Sequence, residues 1–454
     1  MLTRQDNESL TRVGPDTPMG RLMREYWLPL MLDNELPGPD GKPMRMRLLG
    51  EELVAIRDTS GRIGLFGKHC AHRGAPLIYA RNEQDGLRCV YHGWKYDVTG
   101  RCVDMPNEPA ETNFSHKVRQ KTYPCVSRGG LIWTYMGPKE TPPPLPDLEW
   151  NMTPDNLPTM WQYHRACNWM QALEGAIDSS HAGFLHAHVD LRESMSGAGT
   201  VTGIKSPGQV NDISLAVRDR TPRMEVVDTE YGSIYTAKRV HDPAHTYHRI
   251  HPFLFPFHTM VCGGTDELSA YTNLIWVPMD DVNTMVFEVQ YRPENPWTAE
   301  EREAMRQSRN PHGFLAPSVD VGSPWRLAAN GSNDYFHDYE LQRNRLFVGI
   351  VSNCAQDAAM QEGMGPIYER WNEHLGASDA MVIHVRKRLL QASRALAETG
   401  ARPPGADHPE LYRVRPTAVI LPKESDWIEA TKQRRQAFFN GSATSAASKN
   451  SETR

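Results

Sequence analysis

Two short segments of the chain each carry a cysteine followed closely by a histidine. Cys70 and His72 stand one residue apart, and sixteen residues later the second pair, Cys89 and His92, is separated by two residues. Three interpretations compete: ordinary buried side chains, a tetrahedral zinc site, or a [2Fe–2S] cluster in which two Cys bind one iron and two His bind the other. Zinc fingers usually pair Cys with Cys and His with His. The alternation therefore favours the iron–sulfur cluster.

Asp178, His181 and His186 form a second group of possible metal ligands. The two histidines are five residues apart, and Asp178 would share a helical face with His181 if the segment is helical. Two imidazoles and one carboxylate make the facial triad of non-haem Fe(II) oxygenases, which leaves positions open for oxygen and substrate. Taken alone, the spacing is moderate support, because two His near an Asp are common on ordinary helices.

The segment 241–258 is rich in histidine and carries cationic side chains. If residues 247–251 form a strand, Tyr247, Arg249 and His251 share one face. On an inner face, Arg249 could pair bidentately with a carboxylate, and His251 or Tyr247 could bond a phenol or a second carboxylate. The competing interpretation is a solvated sheet face, since charged runs usually lie at the surface. Arg249 is the first candidate for a substrate anchor.

The elements that would position these groups change in type along the chain. Segments within 44–137 are short, β-rich and cut by Gly, Asp and Asn, which predicts a small all-β domain. The proline-rich segment 141–146 can continue neither a sheet nor a helix and suits a linker. Beyond it the pattern alternates between types. Helices are predicted at 18–27, 168–187, 357–373 and 379–397, a solvated helix or loop at 299–311, and strands at 233–240, 247–255, 272–279 and 284–292.

Composition excludes several classes of protein. The chain has 454 residues with 50 basic and 55 acidic side chains, so nothing in the charge favours nucleic acid or an anionic membrane as partner. No apolar run approaches the roughly 18 residues of a membrane span, and the polar start argues against a secretory signal. Seven widely spread cysteines are a poor disulfide framework and suit the cytoplasm. The small, polar end from Gly441 is expected to be disordered.

The residues around the first constellation identify it further. Cys70 and His72 are followed by Arg73-Gly74, and His92 by Gly93-Trp94-Lys95-Tyr96-Asp97. The pattern strongly resembles the Rieske domain of bacterial ring-hydroxylating oxygenases. The resemblance implies that Cys70, His72, Cys89 and His92 bind a Rieske [2Fe–2S] cluster. Imidazole ligation would raise its potential above that of plant-type ferredoxins, as suits an electron relay.

The second constellation resembles the catalytic iron motif of the same family from Asn168 through His186. The resemblance implies that His181 and His186 bind a mononuclear Fe(II). Asp178 would instead bridge His181 to a cluster ligand of a neighbouring subunit, His92 or His72, with His92 preferred. Asn168 and Glu174 are expected to belong to the same catalytic centre.

The third iron ligand lies far away in sequence. Residues 356–367 resemble the family's C-terminal motif, in which the Asp after Gln or Glu is the ligand. This points to Asp357. Glu362, about one turn further along, is the competitor.

The resemblance extends from residue 11 to about residue 376 and is closest to the phthalate-dioxygenase-like group, which includes O-demethylases of the lignin-derived biphenyl 5,5′-dehydrodivanillate. It implies an α+β fold, with an all-β Rieske domain beside a larger helix-grip-type catalytic domain whose antiparallel sheet wraps a helix. The expected divisions are a helical arm at 1–40, the Rieske domain at 41–140, a linker at 141–150, the catalytic domain at 151–400 and a C-terminal extension at 401–454.

The expected function is that of the terminal oxygenase in a multicomponent system. A ferredoxin or flavin reductase would supply electrons, and O2 would hydroxylate or O-demethylate a small aromatic acid. Electron transfer between subunits implies a homotrimer, with a stacked hexamer as the alternative. Two other functions remain open: an electron-transfer protein without catalysis, which would need no facial triad, and a zinc-stabilised binding module, which would be colourless.

Overall fold

The computed structural model describes residues 1–153, 158–190, 215, 217–265 and 270–437. The chain forms two compact units: residues 13–143 with 278–280, and residues 1–12, 144–277 and 281–454. Within the described ranges, every helix is too short or too polar to traverse a lipid bilayer. The prediction for the chain end from Gly441 lies outside the described residues.

The smaller unit is built from three antiparallel sheets with the orders β1-β11-β10, β2-β3-β4-β9 and β5-β6-β7-β8. Its one helix, α2, spans Pro18–Met23. The strands are β1 Trp27–Leu32, β2 Met44–Leu48, β3 Glu51–Arg57, β4 Ile63–Gly67, β5 Arg81–Glu83, β6 Gly86–Arg88, β7 Lys95–Tyr96, β8 Cys102–Asp104, β9 Thr122–Tyr123, β10 Cys125–Arg128 and β11 Leu131–Tyr135. This is the small all-β domain expected from the short, turn-rich segments.

The helical arm predicted for residues 1–40 differs from the structure. Arg4–Thr11 (α1) and α2 are α-helical, Asp33–Glu35 forms a short 3-10 helix, and β1 pairs with β11. The apolar run of β1 is buried because it lies beside an equally apolar strand far along the chain. Residues 278–280 also join this unit, since Leu49 and Gly50 donate backbone hydrogen bonds to the carbonyls of Pro278 and Met279.

The larger unit contains an antiparallel sheet of eight strands in the order β12-β18-β17-β16-β15-β14-β13, with β19 paired to β15. The strands are β12 Thr159–Arg165, β13 Arg223–Thr229, β14 Gly232–Val240, β15 His245–Leu254, β16 His258–Cys262, β17 Tyr271–Pro278, β18 Thr284–Tyr291 and β19 Thr417–Pro422. The helices of this unit, after α1, are α3 Glu149–Met152, α4 Trp169–Ile177, α5 Ala299–Arg309, α6 Tyr339–Asn344, α7 Asn353–Gly363, α8 Ala380–Thr399 and α9 Trp427–Ala430. The four strands predicted from the sequence are present in it.

Helix α4 lies against β16 of the sheet and against α7, and these contacts build the helix-grip arrangement. Its apolar residues Trp169, Met170, Ala172 and Leu173 are fully buried. The predicted helix at 168–187 ends early, at Ile177. Asp178 caps its end and accepts a hydrogen bond from the Ser180 N–H, and such side chains compete with the helical backbone.

The C-terminal extension predicted for 401–454 is partly integrated into the larger unit. Strand β19 pairs with β15 from Thr417 to Pro422. Arg415, just before it, forms a buried ion pair with Glu149, at 2.5 Å between Nη2 and Oε1. The sheet therefore gains its eighth strand from a segment that sequence pattern alone had left outside the domain.

Candidate iron centres

The two Cys–His segments fold into loops of the same geometry. In the first, the Cys70 N–H donates to the Ala75 carbonyl and the Gly74 N–H donates to the Cys70 carbonyl. In the second, Cys89 donates to the carbonyl of Trp94 and receives a bond from Gly93, again at 2.9 Å each. Gly74 and Gly93 have φ of +73° and +79°, a region that strains other residues. Each glycine therefore lets its loop fold back over its cysteine.

The four predicted cluster ligands converge with different exposure. Cys70 and Cys89 are buried, whereas His72 and His92 are half-buried. The imidazole ring centroids lie 4.5 Å apart, and the His72 ring stacks on Trp94 at 4.2 Å. Two buried sulfurs beside two more exposed imidazoles fit a [2Fe–2S] cluster whose histidine-bound iron is nearer the surface.

The thiols sit in an apolar, hydrogen-bonding environment. Burial is the largest effect on the Cys89 thiol and raises its pKa. The neighbouring Cys70 thiol raises the pKa further, and the opposing effect of the Tyr91 N–H is outweighed. The Cys89 thiol would therefore be protonated without a metal, and metal ligation would deprotonate it. The Tyr96 hydroxyl lies 3.1 Å from the Cys70 sulfur, a contact that sequence spacing could not reveal.

The second site brings together His181, His186 and Asp357, whose ligand atoms all lie within 4.8 Å of one another. The two Nε2 atoms are 3.1 Å apart, and Asp357 Oδ1 lies 3.3 Å from His186 Nε2 and 3.9 Å from His181 Nε2. Two ligand atoms at right angles on one divalent metal, each at about 2.1 Å, are about 3 Å apart. The spacing therefore fits three ligands on one face of an iron ion.

Electrostatics prepare this triad for a cation. Burial acts to raise the pKa of Asp357, but the imidazoles of His186 and His181, with the Arg165 guanidinium, outweigh it and lower the pKa to about 2. Asp357 is thus ionised at neutral pH. Carboxylate and imidazole are the donor set of non-haem Fe(II) sites, so the residues present fit the metal.

Asp178 stands beside the triad and outside it. Its Oδ2 lies 3.5 Å from His181 Nδ1, on the side of the ring opposite the metal-facing nitrogen. Burial acts to raise its pKa, but the nearby His181 imidazole and the backbone N–H groups of Ser180 and His181 outweigh it and lower the pKa. The side chain is 28% exposed.

Asp357 and the competing Glu362 have different surroundings. Glu362 accepts hydrogen bonds from the Ala166 N–H at 3.1 Å and the Tyr335 hydroxyl at 2.6 Å, and it lies outside the triad. The geometry favours Asp357 as the third ligand and gives Glu362 a role in joining β12 to α7.

A cavity of about 240 Å³ adjoins the triad. Arg249 lines it, and its Nη1 lies 3.4 Å from the Ser179 hydroxyl, two residues before His181. Tyr247 and His251 share the strand face with Arg249 but are buried and do not line the cavity. His251 is held between the Tyr235 hydroxyl at 3.3 Å and the Cys262 N–H at 3.4 Å. Of the three predicted substrate residues, Arg249 alone reaches the cavity.

Glu174 is placed in a buried ion cluster. Its two oxygens pair with the Arg370 guanidinium at 3.0 Å, and Oε1 also pairs with Arg386 at 2.6 Å. Arg386 contacts Glu373 as well. These bonds tie α4 to α8 and support Glu174 as a positioning residue, and its predicted place in the catalytic centre stays a prediction.

Asn168 is likewise structural. Its oxygen accepts the Met170 N–H and caps α4, and its amide donates to the carbonyls of Thr11 and Asp281 at 2.9 and 2.7 Å. The side chain is fully buried and does not line the cavity. These contacts support a role in capping the helix that leads to the iron ligands, and the predicted catalytic role stays a prediction.

Sequence reasoning missed the glutamine next to Asp357. Gln356 Oε1 lies 2.6 Å from His186 Nδ1. The only signal was its position in the C-terminal motif, since the contact joins residues 170 positions apart.

Comparison with known proteins agrees with this geometry. A Rieske [2Fe-2S] domain model matches residues 26–124, and a model described as LigXa C-terminal domain like matches residues 134–450. The chain is 37% identical to the 3-chlorobenzoate-3,4-dioxygenase oxygenase subunit of Comamonas testosteroni over 96% of this chain and 99% of that protein. It is also 37% identical to the phthalate 4,5-dioxygenase oxygenase subunit of Pseudomonas putida, over 94% of each.

Solved structures support the fold. Dicamba monooxygenase bound to dicamba superposes with a TM-score of 0.56 at 17% identity, covering 82% of this chain and 98% of that one. Two family models and two near-full-length relatives agree with two sets of iron ligands in one chain. The protein therefore belongs to the Rieske oxygenases, as an oxygenase component whose cofactors are a Rieske [2Fe–2S] cluster and a mononuclear iron.

Proposed function

We propose that this oxygenase component hydroxylates or O-demethylates a small aromatic carboxylate. The observation that carries the proposal is Arg249, whose guanidinium lines the same cavity as the three candidate iron ligands. A guanidinium matches the planar geometry of a carboxylate and holds it by two parallel hydrogen bonds. The two relatives compared above are named for aromatic acids, 3-chlorobenzoate and phthalate.

Cavity size supports a substrate with one ring. A volume of about 240 Å³ is below the roughly 300–1,000 Å³ typical of pockets for drug-sized ligands. Phthalate-like acids and methoxylated, lignin-derived benzoates are therefore preferred to a biphenyl such as dehydrodivanillate. Arg249 would orient the acid group so that one ring edge, or one methoxy carbon, faces the triad. That orientation decides between a dihydrodiol and a phenol plus formaldehyde.

His181, His186 and Asp357 would hold the mononuclear iron, while Cys70, His72, Cys89 and His92 would hold the cluster. The iron, when bound, supplies the activation of O2, and the cluster supplies electrons one at a time. The chain itself would orient the acid through Arg249, which lines the cavity. Tyr247 and His251 lie on the same strand as Arg249, β15. Burial, followed by the charges of Arg249 and Arg239, lowers the pKa of His251, so its imidazole stays uncharged at neutral pH.

Electrons would enter at Asp178 from a neighbouring subunit. The carboxylate borders an apolar groove lined by Phe184, Leu185, Phe347, Met360 and Met364. Four of these five side chains are exposed, which is unusual for large apolar groups gathered in one place. The loop from Cys89 to Trp94, the cluster loop, has two more exposed apolar residues, Val90 and Tyr91.

We infer that the cluster loop of a second copy docks in this groove and places its His92 against Asp178. A closed ring of three subunits satisfies such a head-to-tail contact, and a stacked hexamer would preserve it. The electron donor would be a separate ferredoxin or flavin reductase.

A single-turnover assay tests the proposal. The protein is reduced chemically and exposed to O2 with phthalate isomers, vanillate or dehydrodivanillate, and formaldehyde and dihydrodiols are measured. Formaldehyde with a new phenol would identify O-demethylation, and a dihydrodiol without formaldehyde would identify ring hydroxylation. Reoxidation of a fully loaded protein without product from any acid would refute the aromatic-carboxylate proposal. A pure electron carrier would behave in this way, and a zinc module would lack the cluster spectrum.

A further inference from the structure

Gln356 contacts the iron-ligand histidine and the backbone of a neighbouring loop at the same time. Its Oε1 lies 2.6 Å from His186 Nδ1, and its Nε2 donates to the Ile350 carbonyl at 2.8 Å. The side chain belongs to α7 and is buried, at 3% exposure. Both polar ends are thus used, and neither bond is exchanged freely with water.

These contacts determine which nitrogen of His186 carries the proton. The Ile350 carbonyl can only accept, so it must face the NH2 of Gln356, and the amide oxygen must then face His186. An amide oxygen accepts only, so His186 Nδ1 must be the protonated nitrogen. Nε2 is left with its lone pair, and it is the atom that faces His181 and Asp357.

The same segment holds His186 a second time through the backbone. The Phe347 N–H donates to the carbonyl of Ala187 at 3.0 Å, and His188 forms a β-bridge with Leu346. Residues 346–350 therefore grip the chain just after the ligand, while Gln356 connects the imidazole to Ile350. The ring is fixed both by its backbone and at its outer nitrogen.

The two iron-ligand histidines differ in the charge of the group behind them. His181 has the carboxylate of Asp178 behind its Nδ1, whereas His186 has the neutral amide of Gln356. Groups of this kind orient a ligand and tune its basicity. We propose that Gln356 is a positioning residue that fixes the tautomer and the orientation of His186. The inference rests on the proposed iron site.

The test measures Fe(II) binding to the full chain with its cluster intact and its mononuclear site emptied by a chelator. Gln356→Leu removes both hydrogen bonds, and it is expected to weaken Fe(II) affinity by about 10- to 100-fold. Gln356→Glu keeps an acceptor for His186 and is expected to retain affinity within a few-fold of the native protein. Gln361→Leu is the matched control, because Gln361 is a buried glutamine on the same helix and, among the described residues, makes no side-chain hydrogen bond to either histidine.

Electron paramagnetic resonance of the nitric oxide complex of the mononuclear iron adds a readout that a folding defect alone would not change. The expected result is an altered line shape in Gln356→Glu, because a carboxylate then lies behind both imidazoles, and an unaltered one in Gln361→Leu. If the leucine variant does not fold, Gln356→Asn replaces it, since the shorter amide cannot reach His186, and it should bind iron more weakly than Gln356→Glu.

Native iron affinity and an unchanged spectrum in the Gln356 variants would overturn this inference while leaving the proposed function intact. Failure of the native chain to bind mononuclear iron would instead overturn the proposed function.

Discussion

Removal of the Tyr96 hydroxyl should lower the reduction potential of the Rieske cluster. Tyr96 is fully buried, and its oxygen lies 3.1 Å from the sulfur of Cys70. Burial raises the pKa of the phenol, and the hydrogen bond and charge of Cys70 raise it further. Tyr96 therefore stays protonated and would donate a hydrogen bond to the Cys70 thiolate when the cluster is bound. Reduction adds negative charge to the cluster, which strengthens this bond. Tyr96→Phe therefore destabilises the reduced cluster more than the oxidised cluster.

The size of the effect follows from the strength of such a bond. A hydrogen bond to a charged group contributes about 1.5–3 kcal/mol, of which about 1 kcal/mol is taken to differ between the two oxidation states. For a one-electron couple, 1.4 kcal/mol corresponds to about 59 mV, so the potential should fall by about 40 mV. A redox titration followed by visible circular dichroism measures the shift.

Tyr91→Phe is the matched control for this experiment. Tyr91 packs its ring 3.9 Å from that of His92 but is 58% exposed, and phenylalanine preserves the ring contact. Its potential should remain that of the native protein. An unchanged or higher potential in Tyr96→Phe would refute the reasoning, because the hydroxyl would then make no stronger bond to the reduced cluster.

Three further predictions concern binding and stability. Arg249→Met should weaken binding of the productive acid by about 10- to 100-fold in isothermal titration, as expected for a lost charge-assisted pair, and unchanged binding would place the acid elsewhere. Glu174→Gln should lower the free energy of unfolding by about 3–5 kcal/mol in denaturant titration, because it leaves Arg370 with an unpaired charge, and a neutral effect would contradict the buried cluster. Burial lowers the pKa of His258 to about 4, whereas the unfolded chain has the ordinary value of 6.5. Unfolding therefore takes up a proton between these pH values, and the stability that the neutral His258 contributes is lost as the pH falls from 6.5 towards 4. In His258→Gln, the number of protons taken up on unfolding between pH 4 and 6.5 should fall by up to one, so the free energy of unfolding should depend less steeply on pH. An unaltered slope would show that His258 does not titrate as proposed.

Local patterns predicted the parts of the protein that local sequence determines. Each half of the cluster site lies within a few residues of one turn, so the types and spacing of Cys70, His72, Cys89 and His92 were informative without a fold. The central strands were also evident, because their side chains alternate or are continuously apolar. The position of Arg249 on a strand face predicted it as a substrate anchor, and Arg249 lines the cavity.

Features that depend on distant partners could not be predicted in this way. Strand β1 is a strand because β11, a hundred residues later, lies beside it. Asn168 and Glu174 look catalytic in a motif, yet their partners are a helix end and two distant arginines. Gln356 required the packing of α7 against the segment around His186.

Helix geometry favours Asp357 over Glu362 as the third ligand. At about 100° per residue, Glu362 lies roughly 140° around α7 from Asp357, and one helix cannot present both to the same metal. The motif favoured Asp357, and the direction of the helix face provides the physical reason.

Iron content of carboxylate variants tests the central claim most directly. In the full chain with its Rieske spectrum intact, Asp357→Ala should lose about one-third of the total iron, the mononuclear fraction, and all single-turnover product. Glu362→Ala should keep that iron. Full iron content in Asp357→Ala, or selective loss in Glu362→Ala, would contradict the assignment of His181, His186 and Asp357 as the ligands of the catalytic metal.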